Sequence, residues 1–308
     1  MTLALASQRF SLQFLMWIAA LQAMTGNSVQ AQLQPSEDAA TQKQPESRPT
    51  ASQTELPFRI SNGYLILVEG AIGKRTHLKF LLDTGASRSI VDSKIADGLR
   101  LDRKPAQSFN FDRKLAWEQA AIPELRFGPI VAINTVMLVG SLTKYSDFAH
   151  NVDAIIGLDL LHLRDFTIDY DAKKIVFHSS ASGFAQLRDE SLTNGLILQI
   201  GLQGHPVRLI VDTGFPGILL FEQRLSGRMP ELRMIRDFAN VTLGDRLYAR
   251  MATLHGVRIG PTIRDASVLF AQAPPPEILP GIDGVAGIAE LKARRVHFNF
   301  MERTLSWE

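Results

Sequence analysis

Short apolar segments separated by polar turns make up most of the chain after residue 56. The first two segments are residues 64–70 and 78–82, and the turn between them lies around residues 70–74. Apolar runs of this length, bounded by Gly, Asp, Asn and Lys, predict strands rather than helices. The pattern therefore predicts an all-β protein with few short helices.

The same pattern continues through the first half of the chain. Asp92 stands where it can cap a short helix over residues 93–97 that ends at Gly98. Residues 109–111 and 115–122 are predicted to form a hairpin with its tip near residues 112–114. The other predicted strands are 89–91, 125–127, 130–139, 166–170 and 175–177. Residues 153–161 are predicted to be an apolar strand that runs into a short helix.

The order of segments then starts again. Asp-Thr-Gly occurs at residues 83–85 and at residues 212–214, 129 residues apart. Five blocks recur in the same order at nearly constant offset. They include 62–66 with 194–198, 115–129 with 247–261 and 151–178 with 281–308. The chain is therefore predicted to be a tandem duplication of a mostly β unit of about 120 residues, with a linker at 179–190.

The two Asp-Thr-Gly triplets are the candidate chemistry. A single triplet is ordinary turn chemistry, but here each copy follows an apolar run of strand character, at 80–82 and at 209–211. Each carboxylate is then expected at the end of a buried strand. The glycine that follows lets another backbone or a ligand approach closely.

The repeated pattern resembles the aspartic proteases of the pepsin and retropepsin superfamily. The shared features are apolar-apolar-Asp-Thr-Gly, a hairpin flap, and apolar-apolar-Gly before a short helix, as in Ile155-Ile156-Gly157. The resemblance covers nearly all of residues 57–308, once per half, and halves of this size are similar to retropepsins. It implies a bilobal closed-barrel fold with pseudo-twofold symmetry, with retropepsin-like lobes at 57–180 and 181–308.

The resemblance also implies the roles of the triplet residues. Asp83 and Asp212 are expected to share a proton, one acting as general base on water and the other polarising the peptide carbonyl. Thr84 and Thr213 are expected to hydrogen-bond across the lobes. Gly85 and Gly214 are expected to allow the tight turns. The implied function is a secreted aspartic endopeptidase without a cofactor or metal, and the alternative is a non-catalytic secreted peptide-binding module.

The expected substrate contacts follow from the same resemblance. The hairpins near residues 112–114 and 244–246 are flap candidates, with the first expected to dominate. The aromatic residues beside the first flap can equally be core or cross-strand packing. The substrate-binding candidates are Ala86, Phe215, Asp112, Arg113 and Trp117.

The residues after the triplets also bear on the pH optimum. Ala86 and Phe215 place no hydroxyl beside the acids that would favour the ionised form, so the pH optimum is expected to be less acidic than that of pepsin-like relatives. Phe215 and Ala286 depart from the pattern of the superfamily in the second half.

The N-terminus predicts export. Arg9 precedes an apolar segment at residues 10–24, and Val29-Gln30-Ala31 fits a small-x-small cleavage site, which is the layout of a signal peptide over residues 1–31. The apolar segment is short for a membrane span, which needs about 20 residues, although an uncleaved anchor is the alternative. Residues 32–56 are polar and are expected to be a disordered linker. The mature protein is expected in the periplasm or outside the cell.

The composition argues against several other classes of function. The formal charge of +2 comes from 33 basic and 31 acidic residues, and the basic residues are scattered, so no nucleic-acid partner is expected. Without cysteine there is no thiol nucleophile and no disulfide framework. The expected partner is a peptide or protein substrate. Because one chain carries both acids, a monomer is expected, and a dimer that pairs each acid with its counterpart is the weaker alternative.

Overall fold

The computed structural model describes residues 54–110, 113–142, 152–178, 196–229, 232, 239–243, 247–271 and 279–308. The predicted signal peptide, most of the first linker, the linker at 179–190, residue 112 of the first flap tip and the second flap tip at 244–246 lie outside these residues. The first strand begins at Glu55, two residues before the predicted start of the first lobe at residue 57. In the described part of the chain, no helix has the length and apolar character needed to cross a membrane.

Strands dominate the structure and the helices are few and short, so the all-β prediction is confirmed. The elements of the first half are β1 (Glu55–Ser61), β2 (Leu65–Ile72), β3 (Arg75–Leu82), β4 (Ile90–Asp92), α1 (Ser93–Gly98), β5 (Arg103–Asn110), β6 (Arg113–Phe127), β7 (Ile130–Gly140), β8 (Ala154–Ile156), α2 (Leu158–Leu161), β9 (Phe166–Asp169) and β10 (Lys174–Phe177). Those of the second half are β11 (Ile197–Leu202), β12 (His205–Asp212), β13 (Ile218–Phe221), α3 (Glu222–Leu225), β14 (Ala239–Leu243), β15 (Leu247–Ile259), β16 (Thr262–Ala271), β17 (Gly284–Gly287), a 3-10 helix (Ile288–Leu291), β18 (Arg295–Asn299) and β19 (Thr304–Trp307).

Each half closes a ring of six strands. In the first half the order is β2-β3-β8-β4-β7-β6, and a pairing between β2 and β6 closes the ring. In the second half the order is β11-β12-β17-β13-β16-β15, and β11 pairs with β15. Alternate side chains of these strands point inward and form the apolar core. The expected closed barrel is therefore present.

A shared sheet joins the halves. Its order is β19-β18-β9-β10-β1, so two strands of the second half continue into three strands of the first half with no break in hydrogen bonding. β9 and β18 pair antiparallel, with Ile168 opposite Val296. On the apolar side of this contact, Phe166 stacks on Phe298 with ring centroids 4.8 Å apart. This sheet holds the two barrels side by side.

Several local predictions can be compared with the structure. Asp92 does cap α1, because its carboxylate accepts the Lys94 N–H at 2.8 Å. Residues 115–122 and 125–127, which were expected to be two strands, are one strand that runs through Pro123. The strand pairs with β5 before the proline and with β2 after it, so the missing proline N–H falls where the strand changes partner.

Corresponding pairings recur in the two halves. β3 and β8 are parallel with Leu82 opposite Ile156, and β12 and β17 are parallel with Val211 opposite Ala286. Asp153 accepts the Lys79 N–H at 2.8 Å. In the second half Asp283 accepts the Arg208 N–H at 2.9 Å, so the two acids hold the strand backbone in the same way. These matches support the predicted duplication, and the pseudo-twofold symmetry stays a prediction.

Candidate active site

The two triplets lie at the ends of strands in the middle of each barrel. Asp83 directly follows β3 and Asp212 is the last residue of β12. Each of these strands runs parallel to an apolar partner, β8 or β17, and the Asp83 N–H donates to the Ile156 carbonyl at 3.0 Å. Because the strands are paired on both sides, the acid at each strand end has a fixed backbone position.

The threonines of the triplets bind the halves to each other. The Thr84 N–H donates to Thr213 Oγ1 at 3.0 Å, and the Thr213 N–H donates to Thr84 Oγ1 at 3.1 Å. Each hydroxyl also donates to the strand of the other half. Thr84 Oγ1 donates to the Val211 carbonyl at 2.8 Å, and Thr213 Oγ1 donates to the Leu82 carbonyl at 2.7 Å. These four buried hydrogen bonds hold the two Asp-bearing loops in one arrangement.

The glycines allow the carboxyl groups to meet. The Gly85 N–H donates to Asp83 Oδ1 at 2.9 Å, and the Gly214 N–H donates to Asp212 Oδ1 at 2.6 Å. A Cβ on Gly85 would lie 2.2 Å from Asp212 Oδ2, and one on Gly214 would lie 2.9 Å from Asp83 Oδ2. Each glycine therefore abuts the carboxyl group of the other half. No residue with a side chain fits there without moving the acid.

Hydrogen bonding in the pair implies a shared proton. Asp83 and Asp212 are 1% and 2% exposed. Asp83 Oδ2 is buried, and no N–H or hydroxyl group of the described residues donates a hydrogen bond to it. The Asp212 carboxyl is a hydrogen-bonding neighbour of the Asp83 carboxyl, and a carboxyl group can donate only when it carries a proton. A proton on Asp212 gives Asp83 Oδ2 the donor that it otherwise lacks.

The electrostatics distinguish the two acids. Burial raises the pKa of Asp83 to about 6, although hydrogen bonds from Asp212, Gly85 and Ala86 oppose the rise. Burial raises the pKa of Asp212 well above its usual range, and the charge on Asp83 and the hydrogen bond to Asp83 raise it further. Since two adjacent buried carboxylates cannot both ionise easily, the pair is expected to hold one proton and one negative charge.

The loop after the first triplet has its own support, which the sequence reasoning missed. The Ser89 hydroxyl donates to Asp159 Oδ1 at 2.6 Å, and its N–H donates to Asp159 Oδ2 at 2.9 Å. The Gly157 N–H in turn donates to Ser89 Oγ at 2.9 Å. This network ties the segment after Asp83 to the start of α2. The acid at position 159 stands two residues after the apolar-apolar-Gly motif, and this spacing was the available signal.

Burial corrects two of the substrate-binding expectations. Phe215 is fully buried in an apolar cluster with Leu219, Phe221 and Ile282, so its side chain neither lines nor crowds an open cleft. Burying a Phe side chain contributes about 1.5–3 kcal/mol, which an exposed cleft position would forfeit. Ala86 is 1% exposed, and its N–H donates to Asp83 Oδ1 at 3.1 Å, so it supports the acid through its backbone.

The remaining substrate-binding candidates belong to the first flap. Trp117 on β6 is 6% exposed and packs in an apolar cluster with Leu81, Ala86 and Ile155, which agrees with the packing alternative. Asp112 and the second flap tip at 244–246 lie outside the described residues. Arg113 begins β6, opposite Asn110, and its side chain also lies outside the described part of the structure.

Tyr64 is a further residue of this region that sequence reasoning missed. It immediately precedes β2, and its side chain is partly exposed. Burial, followed by the charges of Asp212 and Asp83, raises the pKa of its phenol. Both carboxyl groups therefore lie within electrostatic range of this side chain. The repeat offered a weak signal, because Tyr64 occupies a position where the second half has Leu196.

Comparison with known proteins agrees with this geometry. The chain is a β protein with two closed barrels, and its two Asp-Thr-Gly loops are hydrogen-bonded to each other. A family model described as aspartyl protease matches residues 68–160, a stretch that contains the first triplet and the apolar-apolar-Gly motif. No curated protein matches the chain. This match supports the aspartic protease superfamily that the sequence predicted.

Proposed function

We propose that the chain is an exported aspartic endopeptidase in which Asp83 and Asp212 hydrolyse peptide bonds by general acid/base catalysis. The family match supports a protease in general. The observation that carries the finer proposal is the contact between the two acids, which come from different halves and are held by the reciprocal threonine hydrogen bonds. Because one chain supplies both acids, the proposed enzyme is a monomer.

The hydrogen bonds support a division of roles between the acids. Asp83 Oδ1 accepts N–H groups from Gly85 and Ala86, and such donors favour the ionised carboxylate. Asp83 is therefore the proposed base, which takes a proton from a bound water as the water oxygen attacks the peptide carbonyl carbon. Asp212 is the proposed acid, which gives its proton to the carbonyl oxygen. The product of this step is a neutral gem-diol, and the pair keeps one proton and one negative charge.

Digestion of a peptide library over a series of pH values tests this function. Activity requires ionised Asp83, so it rises as pH increases through the raised pKa of about 6. Activity also requires protonated Asp212, and the high pKa of that group keeps the proton in place above this value. We expect the rate measured by mass spectrometry to be highest between about pH 6 and 7.5, and below a tenth of that maximum near pH 3.

The outcome of the same digestion separates the alternatives. A peak near pH 3 that collapses by about pH 5 would contradict the raised pKa of Asp83. Peptide binding without cleavage at any pH would favour the alternative, a secreted peptide-binding module that keeps the fold. Dependence of the specific activity on protein concentration would favour a dimer over the proposed monomer.

Export is proposed from residues 1–31, whose charge, apolar segment and cleavage site are those of a signal peptide. Expression of the full chain in a Gram-negative bacterium, followed by fractionation and N-terminal sequencing, tests it. We expect the periplasmic or secreted protein to begin at Gln32. Replacement of Ala31 by Trp should block cleavage, because the site needs a small residue. A protein that remains in the membrane with an intact N-terminus would instead indicate an uncleaved anchor.

A further inference from the structure

Strand register places Tyr64 beside the paired acids. β2 and β3 pair antiparallel, with Leu67 opposite Leu81 and Val68 opposite Phe80. The same register, continued to the start of β2, brings residue 65 opposite Asp83. Tyr64, the residue before it, therefore leaves the sheet at the level of the first triplet. Its position is held by its N–H, which donates to the Ser61 carbonyl at 3.2 Å.

Packing directs the Tyr64 ring toward the loop of the first triplet. The ring contacts an apolar cluster that includes Leu81, Ala86 and Ile155, the residues that flank Asp83 and line the neighbouring strand. The side chain is nevertheless only partly buried. Among the described residues, its hydroxyl forms no hydrogen bond. An available donor therefore stands near two carboxyl groups that share one negative charge.

At this position of the repeat, only the first half has a hydroxyl group. The matching position of the second half is Leu196, which is 3% exposed and carries no polar atom in its side chain. The two halves therefore differ at this point. The phenol also keeps its proton, because burial and the charges of Asp212 and Asp83 raise its pKa. It can donate at every pH at which the acids work.

We propose that Tyr64 is a catalytic residue whose hydroxyl donates a hydrogen bond to the carbonyl oxygen of the scissile peptide, beside the proton of Asp212. This inference rests on the proposed function. The carbonyl oxygen is the chosen acceptor because it is the substrate atom that needs a hydrogen-bond donor during the reaction. As water attacks, negative charge develops on that oxygen, and a donor aimed at it stabilises the transition state more than the bound peptide. Tyr64 keeps its own proton throughout.

Replacement of the hydroxyl alone tests the proposal. Tyr64→Phe keeps the ring and its packing, and we expect kcat to fall about 10- to 100-fold while KM changes by less than about threefold. Tyr64→Leu introduces the residue of the second half and should lower kcat at least as much. The matched control is Tyr170→Phe. The Tyr170 hydroxyl is buried and has no hydrogen bond among the described residues, but its ring packs edge-to-face on Phe58 and only burial raises its pKa, without an effect of the acids.

Each outcome has a definite meaning. Unchanged kcat in Tyr64→Phe, with wild-type cleavage intact, overturns the role of Tyr64 and leaves the proposed function standing. A rise in KM alone also overturns it, since the hydroxyl would then bind peptide without stabilising the transition state. Absence of cleavage by the wild type overturns both proposals together. If thermal unfolding shows that Tyr64→Phe is misfolded, the ring is structural, and a folded Tyr64→Leu with wild-type kcat would overturn the catalytic role.

Discussion

Asp83→Asn and Asp212→Asn each lower kcat/KM for peptide cleavage by at least about 1,000-fold, because each change removes one of the two proton-transfer groups. Asn at position 83 cannot take a proton from water, and Asn at position 212 cannot give one to the carbonyl oxygen. Both variants should still fold, since the amide oxygen can accept the backbone N–H groups that the carboxylate oxygens accept now. Initial rates on the best library peptide measure the loss.

A nearby acid provides the control for these variants. Asp153 lies just before β8 and accepts one N–H, that of Lys79, without touching the paired carboxyl groups. Asp153→Asn can keep this hydrogen bond and should retain activity within about threefold. If either Asp83→Asn or Asp212→Asn kept more than about a tenth of wild-type activity, the acid/base mechanism would be wrong. Loss of activity in Asp153→Asn alone would point to a disturbed fold rather than to chemistry.

Thr84→Val should lower the free energy of unfolding by about 2–5 kcal/mol. The lost hydroxyl both donates to the Val211 carbonyl and accepts the Thr213 N–H, so two buried backbone groups of the other half lose their partners. Each unsatisfied group costs about 1–3 kcal/mol. For a chain of this size the expected fall in Tm is about 5–15 °C, measured by calorimetry or circular dichroism. Activity should fall as well, because the acid loops are held by these bonds.

Substitution by serine separates the hydroxyl from the methyl group. Thr84→Ser keeps both hydrogen bonds and should lose less than half as much stability as Thr84→Val. Thr213→Val should resemble Thr84→Val, because the Thr213 hydroxyl bonds to Leu82 and Thr84 in the corresponding way. The double variant should lose less than the sum, since the hydrogen bonds belong to one network. Equal Tm values for Thr84→Val and Thr84→Ser would show that the hydroxyl network contributes little.

Local patterns determined most of the secondary structure and the identity of the paired acids. The apolar runs with turn residues between them predicted the barrel strands, and Asp92 was identified as a helix cap from its position alone. The wrong predictions concern residues whose structure depends on contacts with distant parts of the chain. Residues 115–122 and 125–127 were expected to be two strands, yet β6 continues through Pro123 and changes its pairing partner there. Phe215 was expected in the cleft, yet the second barrel offers it a buried site.

The sequence by itself therefore determined an all-β chain with two Asp-Thr-Gly turns, since strand period, turn chemistry and internal repetition depend on residues near one another. Only the tertiary structure decided that Asp83 and Asp212 meet, that Oδ2 of Asp83 is buried without an N–H donor among the described residues, and that Tyr64 lies within electrostatic range of both acids. Those properties depend on distances between segments about 130 residues apart. Barrel closure and the sheet shared by the two halves set these distances, and no local pattern encodes them.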